Sequence, residues 1–313
     1  MNLLKWQRII GWVLSTLIGA TFIFSAISKW PNIEQFGWTI VETTFLNWTL
    51  AEWLARILIG LELFIGVLYL AQINIRKLAF PIGQILLILF TVYLILLIID
   101  HGNDGNCGCF GEVVSMTPLE SIVKNLLLSA LMVLQFRWST FWTFPYSKWM
   151  ISALLVLLLA LPVVLFPPES IYVYEKDKTI RQGVPLSHLY HTAGNKPPQV
   201  ELRKGKHILL FLSLTCRYCR KAARRLDIMH SKNPQIPFYA VLNGDSTDLK
   251  SFFEETNMNH IPYTLFKGPK QFIEMNGSPS FPGIRWFEDT VVVRESNYLN
   301  LYEKDILNWL GKK

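Results

Sequence analysis

The first half of the chain alternates long apolar runs with short polar segments. The runs cover, in order, Ile9 to about Ser28, Leu50 to Ala71, Leu78 to Ile99, Leu119 to Gln135 and Met150 to Phe166. Each run is about 17 to 22 residues long, the length a helix needs to cross the hydrocarbon core of a bilayer. Further spans follow the first run and no Ala-x-Ala-like cleavage site ends it, so we expect a retained helix rather than a signal peptide.

The pattern changes after Pro167-Pro168, which ends the last apolar run. Residues 169–206 are mostly polar and are predicted to form a linker and the start of a soluble domain. From there on, short apolar runs typical of buried strands alternate with helical periodicity. The predicted elements are a strand over 207–213, a helix from the Cys216 region to about Asn233, a strand over 237–242, a helix over 248–255, a hairpin over 283–293 and a helix over 301–310. This order is typical of a thioredoxin-like α/β domain, predicted to span residues 207–313.

Composition supports a membrane region joined to a soluble domain. Of the 313 residues, 51% are hydrophobic, and the mean hydropathy is +0.30, too apolar for an ordinary soluble protein. Most of the net charge of +7 lies after Pro168. No basic stripe or aromatic stacking platform accompanies this charge, so a face toward anionic lipid headgroups explains it better than nucleic-acid binding.

Lysine and arginine are distributed unequally between the two ends of the predicted spans. One set of connecting segments is basic and holds no carboxylate: Lys5, Arg8, Arg76, Lys77, Arg137 and Lys148. The opposite set holds the carboxylates Glu34, Glu42, Asp100, Asp104 and Glu112. Lys29 is the only base in that set. The positive-inside rule therefore predicts a multi-pass inner-membrane protein with a cytoplasmic N-terminus. With five spans, the soluble domain is expected on the periplasmic side.

All four cysteines occur in close pairs. Cys107 and Cys109 form a C-x-C in the polar loop between spans three and four, and Cys216 and Cys219 form a C-x-x-C after the first soluble strand. Such spacings are typical of redox or metal chemistry rather than of bridges that close long loops. The predicted topology puts both pairs on the same, oxidising side of the membrane.

The C-x-x-C pair has the features that thiol–disulfide exchange needs. Exchange requires an exposed thiolate that attacks and a second thiol that resolves the mixed disulfide. Cys216 lies at the predicted helix N-terminus, where free amides and the helix dipole stabilise a thiolate, and Arg217 and Arg220 add positive charge. Cys219, one turn into the helix, is expected to be less exposed and to resolve. A static disulfide is the alternative interpretation.

The C-x-C pair admits three interpretations. Two residues span up to about 7 Å, the limit for bridged Cα atoms, so a Cys107–Cys109 bridge requires the bend that Gly108 permits. Such a bridge would be readily reduced and suited to an electron relay. The alternatives are a metal site that includes His101 and Asp104, and an inert bridge.

Two charged residues fall within the second span. Arg56 and Glu62 are costly in hydrocarbon and are expected to face the bundle or a wet cavity. The functional interpretation is a proton relay or the polar part of a quinone site, which makes both residues candidates for cofactor binding. The structural alternative has Arg56 near the outer end of the span while Glu62 bonds a neighbouring helix.

Three segments resemble a known family. They are Phe24-Ser25-Ala26-Ile27-Ser28-Lys29, Glu62 followed by Gly66, and Cys107-Gly108-Cys109-Phe110-Gly111. They resemble the methylamine-utilisation protein E (MauE) branch of the DoxX-like membrane proteins, over roughly Lys5 to Phe136. The resemblance implies an all-α four-helix transmembrane bundle over residues 1–140, to which residues 141–168 add a fifth span. It also implies a redox-associated protein similar in architecture to the vitamin K epoxide reductase bundle, which oxidises thiols with a quinone; members of the branch are linked to maturing a periplasmic disulfide-rich partner.

A second resemblance lies in the soluble half. The segment from Phe281 to Phe287 resembles the thioredoxin segment whose cis-proline faces the disulfide, and this role falls on Pro282. Two positions depart from the thioredoxin pattern: Thr215 stands where tryptophan is usual, and Leu210 where a buried aspartate is often kept. These departures affect proton handling and therefore the reduction potential.

Together these observations predict a membrane thiol–disulfide oxidoreductase. Cys216 and Cys219 would exchange with thiols or disulfides of exported proteins, and Cys107 and Cys109 with the C-x-x-C pair. A quinone between the helices is the candidate acceptor, although no motif fixes a cofactor or a resident metal. The same residues serve either direction of electron flow. Two other functions remain open: a non-enzymatic maturation or metal-handling factor whose thiolates hold Cu(I), and a subunit of a quinol-linked respiratory complex.

Overall fold

The chain forms two compact units, residues 1–171 and residues 172–313. The computed structural model describes residues 2–44, 46–103, 114, 116–138, 148–172 and 178–311. Over these residues the first unit is helical and the second is a mixed α/β domain. This is the predicted fold class, an apolar helical region followed by an α/β domain.

Within its described residues, the first unit contains six long or medium helices. They are α1 (Asn2–Lys29), α2 (Ile33–Thr43), α3 (Trp48–Leu70), α4 (Phe80–His101), α5 (Pro118–Trp138) and α6 (Lys148–Leu165), with a π-helical turn, Ile75–Ala79, leading into α4. In the part of the chain that the structure describes, five segments are long and apolar enough to cross a membrane: Ile9–Lys29, Trp48–Leu70, Ile75–Ile99, Pro118–Arg137 and Lys148–Leu165. The prediction of five membrane-spanning helices is therefore confirmed by length and composition.

Helices α1 and α3 approach each other closely through glycine. A Cβ atom built on Gly19 would lie 2.8 Å from the carbonyl oxygen of Gly66, and one built on Gly66 would lie 2.9 Å from the carbonyl oxygen of Gly19. Ser15 stabilises the same pair of helices by donating a hydrogen bond to the carbonyl oxygen of Tyr69 at 2.7 Å. Small residues at such crossings let backbones pack where lipid provides no hydrophobic driving force.

The short helix α2 joins α1 to α3 and packs against α3. Its apolar face, which includes Phe36, Trp38 and Val41, is buried. The side chain of Asn47 caps the start of α3 by accepting a hydrogen bond from the Leu50 amide at 2.8 Å. The centroid of the Phe36 ring lies 6.5 Å from that of Phe90 in α4.

The second unit is built on a six-stranded sheet. Its strands are β1 (Lys178–Gly183), β2 (Lys206–Ser213), β3 (Phe238–Asn243), β4 (Tyr263–Phe266), β5 (Gly283–Glu288) and β6 (Val291–Ser296), in the spatial order β1-β6-β5-β2-β3-β4. Its helices are α7 (His188–His191), α8 (Arg217–Lys232), α9 (Asp248–Thr256), α10 (Pro269–Asn276) and α11 (Glu303–Leu310). Strands β2, β3 and β4 are parallel, whereas β5 is antiparallel to β2 and to β6.

Strand β2 runs through the centre of this domain. Leu210 and Leu212 enter one apolar cluster, while Leu209 and Phe211 enter the cluster on the other face of the sheet. Residues on both faces are therefore fully buried, as expected for a strand covered by helices on each side. Burial of both faces explains why this strand is a continuous apolar run in the sequence.

Several elements of the sheet fall outside the predicted order. Strand β1 lies within 169–206, the segment predicted as linker and domain start, and pairs with β6. Strand β4 and helix α10 lie between the predicted helix over 248–255 and the predicted hairpin. Both strands are at sheet edges and are short or polar, so neither has the apolar run that identifies a central strand.

Gly66→Ala should destabilise the helical unit, because the added methyl group would meet the side chain of Ile23 and the carbonyl oxygen of Gly19. Overpacking of this kind costs about 1–3 kcal/mol. The thermal unfolding midpoint of the full chain in detergent should fall accordingly. Gly37→Ala is the matched control, since a Cβ atom there has only ordinary contacts at 3.8 Å or more. Equal midpoints for the two variants would contradict the close approach of α1 and α3.

Candidate functional site

The C-x-x-C pair lies at the junction of β2 and α8. Cys216 is the N-cap residue of α8, with extended backbone angles, and its Sγ accepts a hydrogen bond from the backbone amide of Cys219 at 3.3 Å. A side chain at an N-cap is aimed at the amides of the first turn that have no partner within the helix. The same geometry puts the Cys216 sulfur at the positive end of the helix dipole.

The two sulfurs have different surroundings. Cys219 is 0% exposed and belongs to the core cluster beneath the helix, whereas Cys216 is partly exposed at the edge of that cluster. Thr215, Arg217 and Tyr218 around Cys216 are exposed, Tyr218 to 60%. Burial, followed by its hydrogen bond with Cys216, raises the pKa of the Cys219 thiol well above its usual range. Cys219 therefore stays a neutral thiol at physiological pH, while Cys216 faces outward.

Arg220 connects the loop before Cys216 to two helices. Its Nε donates a hydrogen bond to the carbonyl oxygen of Leu214 at 2.9 Å, and its guanidinium forms an ion pair with Glu255 of α9. Its backbone amide donates to the carbonyl oxygen of Cys216 at 3.1 Å. The sequence suggested Arg220 only as added positive charge; in the structure Glu255 balances that charge, and the side chain also fixes the loop.

Pro282 follows a cis peptide bond with Phe281. The register of the sheet pairs Gly283 of β5 with Phe211 of β2, so this bond lies at the end of the sheet where β2 leads to Cys216. Phe281 and Cys216 pack against the same core cluster. At the two positions that depart from the thioredoxin pattern, Thr215 is exposed and Leu210 is fully buried among apolar residues.

The C-x-C pair lies outside the described residues. Cys107, Cys109 and Asp104 all fall in the segment that the structure leaves undescribed, so the three interpretations of this pair stay open. Within the described ranges, no group of three or more His, Cys, Asp or Glu side chains is arranged to hold a metal ion. The segment joins the end of α4 to the start of α5.

A second polar site is buried in the helical unit. Lys29 of α1 contacts both carboxylate oxygens of Glu62 in α3, each at 2.8 Å, and the side chains are 2% and 4% exposed. The Lys29 ammonium also donates to Ser25 Oγ at 2.7 Å, and Ser25 contacts Glu62 at 3.2 Å. The expectation that Glu62 bonds a neighbouring helix is therefore met by α1.

The prediction that Lys29 is the base of an acidic loop is wrong, because its side chain is buried in the helical unit. The signal that could have identified it is its spacing of four residues from Ser25, which puts both on one helical face. Arg56 is separate from this site. Its Nε and Nη1 donate to the carbonyl oxygens of Phe166 and Glu52, each at 2.7 Å, and it is 1% exposed. The hydrogen bond to Phe166 connects α3 to the end of α6.

The helical unit matches the model of a known protein family. Residues 7–137 match the family model described as methylamine utilisation protein MauE. The predicted MauE resemblance, over roughly Lys5 to Phe136, is thereby confirmed for the N-terminal helices. The matched range ends before α6, so the fifth span lies outside it.

One relative resembles the chain over both units. Protein TlpB of Flavobacterium psychrophilum is 26% identical over 322 residues, covering 88% of this chain and 88% of its own length. The alignment therefore extends over parts of both units of this chain.

Two solved structures are similar to the soluble half. The thioredoxin domain of a thiol-disulfide oxidoreductase from Bacteroides vulgatus is 20% identical, covers 43% of this chain and 91% of that domain, and has a TM-score of 0.31. A secreted disulfide oxidoreductase of Mycobacterium tuberculosis, homologous to E. coli DsbE, is also 20% identical, covers 34% of this chain and 81% of its own, and has a TM-score of 0.27. The chain thus joins a MauE-like helical region to an α/β domain that carries a C-x-x-C.

A thiol-alkylating reagent at neutral pH should modify Cys216 and leave Cys219 largely unmodified in the reduced full-length protein. The buried sulfur is inaccessible, and its raised pKa keeps it protonated until the solution is strongly alkaline. The rate of modification of each cysteine is measured by mass spectrometry in a variant that lacks the other cysteine of the pair. Cys216→Ser should therefore show slow modification of Cys219, and Cys219→Ser should keep rapid modification of Cys216. Similar rates at neutral pH would contradict the difference in burial.

Proposed function

We propose that the protein is a membrane-bound thiol–disulfide oxidoreductase that acts on exported proteins. The observation that carries the proposal is the asymmetry of the C-x-x-C pair: Cys216 caps α8 and is accessible, while Cys219 is buried directly behind it. Attack by an accessible thiol and resolution by a protected one are the two halves of disulfide exchange. The MauE match of the helical region and the full-length relative support a membrane setting for this chemistry.

The exchange reaction follows from this arrangement. The Cys216 thiolate attacks one sulfur of a substrate disulfide, forming a mixed disulfide and releasing the other substrate sulfur as a thiolate. Cys219 then passes its proton to the substrate thiolate released in the first step and attacks the Cys216 sulfur, which forms the Cys216–Cys219 disulfide and releases the second substrate sulfur as a thiolate. The backbone amide of Cys219 donates a hydrogen bond to the Cys216 sulfur, the atom that attacks and is later attacked. The reverse sequence oxidises a substrate dithiol with the same residues.

Cys107 and Cys109 are the proposed partner of the C-x-x-C pair. Their exchange with Cys216 and Cys219 would connect the thioredoxin-like domain to the membrane, where a quinone is the proposed acceptor. Pro282 is proposed to border the reactive disulfide, as the cis-proline does in thioredoxins. In the proposed topology the N-terminus is cytoplasmic, and both cysteine pairs lie on the periplasmic side.

Cys219→Ser should trap a mixed disulfide through Cys216. Without the resolving thiol, the first exchange product persists and runs as a higher-mass band that disappears on reduction. Cells that express the full-length variant are quenched with acid, and the adducts are compared on non-reducing gels. Cys216→Ser is the matched control and should form none through Cys219, which is buried. If Cys219→Ser accumulates no adduct above this control, disulfide exchange is ruled out as the function.

An impermeant thiol reagent applied to intact cells, with the outer membrane made permeable, should label Cys107 and Cys216. Each is tested in a variant that keeps a single native cysteine, after reduction. Ser139→Cys, introduced into the basic turn between spans four and five, is the control for the cytoplasmic side and should react only after lysis. Labelling of Cys107 or Cys216 that also requires lysis would overturn the proposed topology and the relay between the pairs.

A further inference from the structure

One buried amide in the α/β unit holds loop 277–282, the segment that joins α10 to β5. Asn276, the last residue of α10, is 1% exposed. Its Nδ2 donates hydrogen bonds to the carbonyl oxygens of Ser278 at 2.6 Å and of Ser280 at 3.0 Å. A single side chain therefore fixes the backbone of this loop at two points.

The position of Asn276 is itself fixed by strand β5. Arg285, which is 4% exposed, donates from its Nε to the main-chain carbonyl oxygen of Asn276 at 2.8 Å. The Arg285 guanidinium also forms an ion pair with Glu295 of β6. A Cβ atom built on Gly283 would lie 1.9 Å from Oδ1 of Asn276, so the side chain fits only because position 283 is glycine.

Loop 277–282 leads to the end of the sheet where the C-x-x-C pair lies. Gly283, directly after the loop, pairs with Phe211 in the antiparallel register of β5 and β2. Two residues beyond Phe211, the carbonyl oxygen of Ser213 accepts a hydrogen bond from the Cys216 amide at 3.2 Å. Phe281 of the loop packs against the same core cluster as Cys216. The loop therefore runs beside the segment that carries the reactive sulfur.

The outer side of the loop is accessible. Pro279 and Ser280 are exposed, and Phe281 and Pro282 are partly exposed, as is Cys216. The two carbonyl oxygens that accept hydrogen bonds are turned inward, toward the buried amide. A polypeptide whose disulfide reaches Cys216 therefore meets the outer side of this loop.

We propose that Asn276 is a positioning residue for the C-x-x-C site: it holds loop 277–282 beside Cys216, where the loop contacts the polypeptide around a substrate disulfide. This rests on the proposed function and extends it to substrate recognition. Without the amide donor, two inward-facing carbonyl oxygens lose their partner, and the loop must move to satisfy them. A polypeptide substrate then binds more weakly. A small disulfide, which needs only the Cys216 sulfur, reacts as before.

Asn276→Asp is the direct test, because it keeps the size of the side chain and replaces the donor with an oxygen that repels both carbonyl groups. Asn195→Asp is the matched control. The Asn195 amide likewise donates to a backbone carbonyl, that of Lys267 at 3.1 Å, directly after the edge strand β4.

The reduced full-length proteins in detergent are mixed with two oxidised probes, a synthetic peptide closed by one disulfide and hydroxyethyl disulfide. Formation of the Cys216–Cys219 disulfide is measured by mass spectrometry after acid quenching, over a range of probe concentrations. The thermal midpoint of each protein is recorded alongside.

In Asn276→Asp the half-saturating concentration of the peptide should rise about 10-fold, while its maximum rate and the rate with hydroxyethyl disulfide stay unchanged. Asn195→Asp should behave like the wild type with both probes. Unchanged peptide binding in Asn276→Asp, or equal slowing with both probes, overturns the positioning role. A wild type that exchanges with neither probe would instead refute the proposed function.

A double-mutant cycle tests the same role without adding a charge. The methyl group of Gly283→Ala would displace the Asn276 side chain, and Asn276→Ala removes its amide. Each single variant should raise the half-saturating peptide concentration, and the double variant should raise it no further than Gly283→Ala alone, because both changes break one contact. Effects that multiply in the double variant would show that the two residues act independently and would overturn the proposal.

Discussion

An ammonium and a carboxylate buried in hydrocarbon must be paired, and this constraint organises the membrane half of the protein. Lys29 and Glu62 meet across α1 and α3 with both carboxylate oxygens engaged, and Ser25 completes the hydrogen bonding of the ammonium. The contact is possible because Gly19 and Gly66 bring the two backbones together. Two of the three segments that resemble the MauE family thus share a physical role, since Ser25, Lys29, Glu62 and Gly66 all lie at the crossing of α1 and α3.

The soluble half depends on a comparable junction. Strand β2 is buried on both faces, so its end is held firmly where α8 begins. Cys216 is held at this junction by its role as the N-cap, and Arg220 fixes the preceding loop through Leu214. One sulfur is exposed and the other is covered because the helix turns Cys219 into the core. The two cysteine side chains therefore differ in exposure because they lie one helical turn apart.

The two units differ in the surroundings of their polar groups: Cys216 of the α/β unit is partly exposed, whereas Lys29 and Glu62 of the helical unit are buried. The alignment with the relative extends over both units. Arg56, a further buried charge of α3, donates hydrogen bonds to two carbonyl oxygens and connects α3 to the end of α6.

Hydrophobic periodicity in the sequence was sufficient to predict the spans, the central strand β2, the C-x-x-C at a helix start and the final hairpin. These features depend on local patterns: an apolar run long enough for a bilayer, or a strand apolar on both faces. The edge strands β1 and β4 were missed because polar or short edge strands carry no such pattern. Only the tertiary structure decided that Lys29 turns into the bundle to meet Glu62, and that Glu255 balances Arg220. Such partners lie 33 and 35 positions apart in the sequence, and their pairing depends on how whole helices pack rather than on any local pattern.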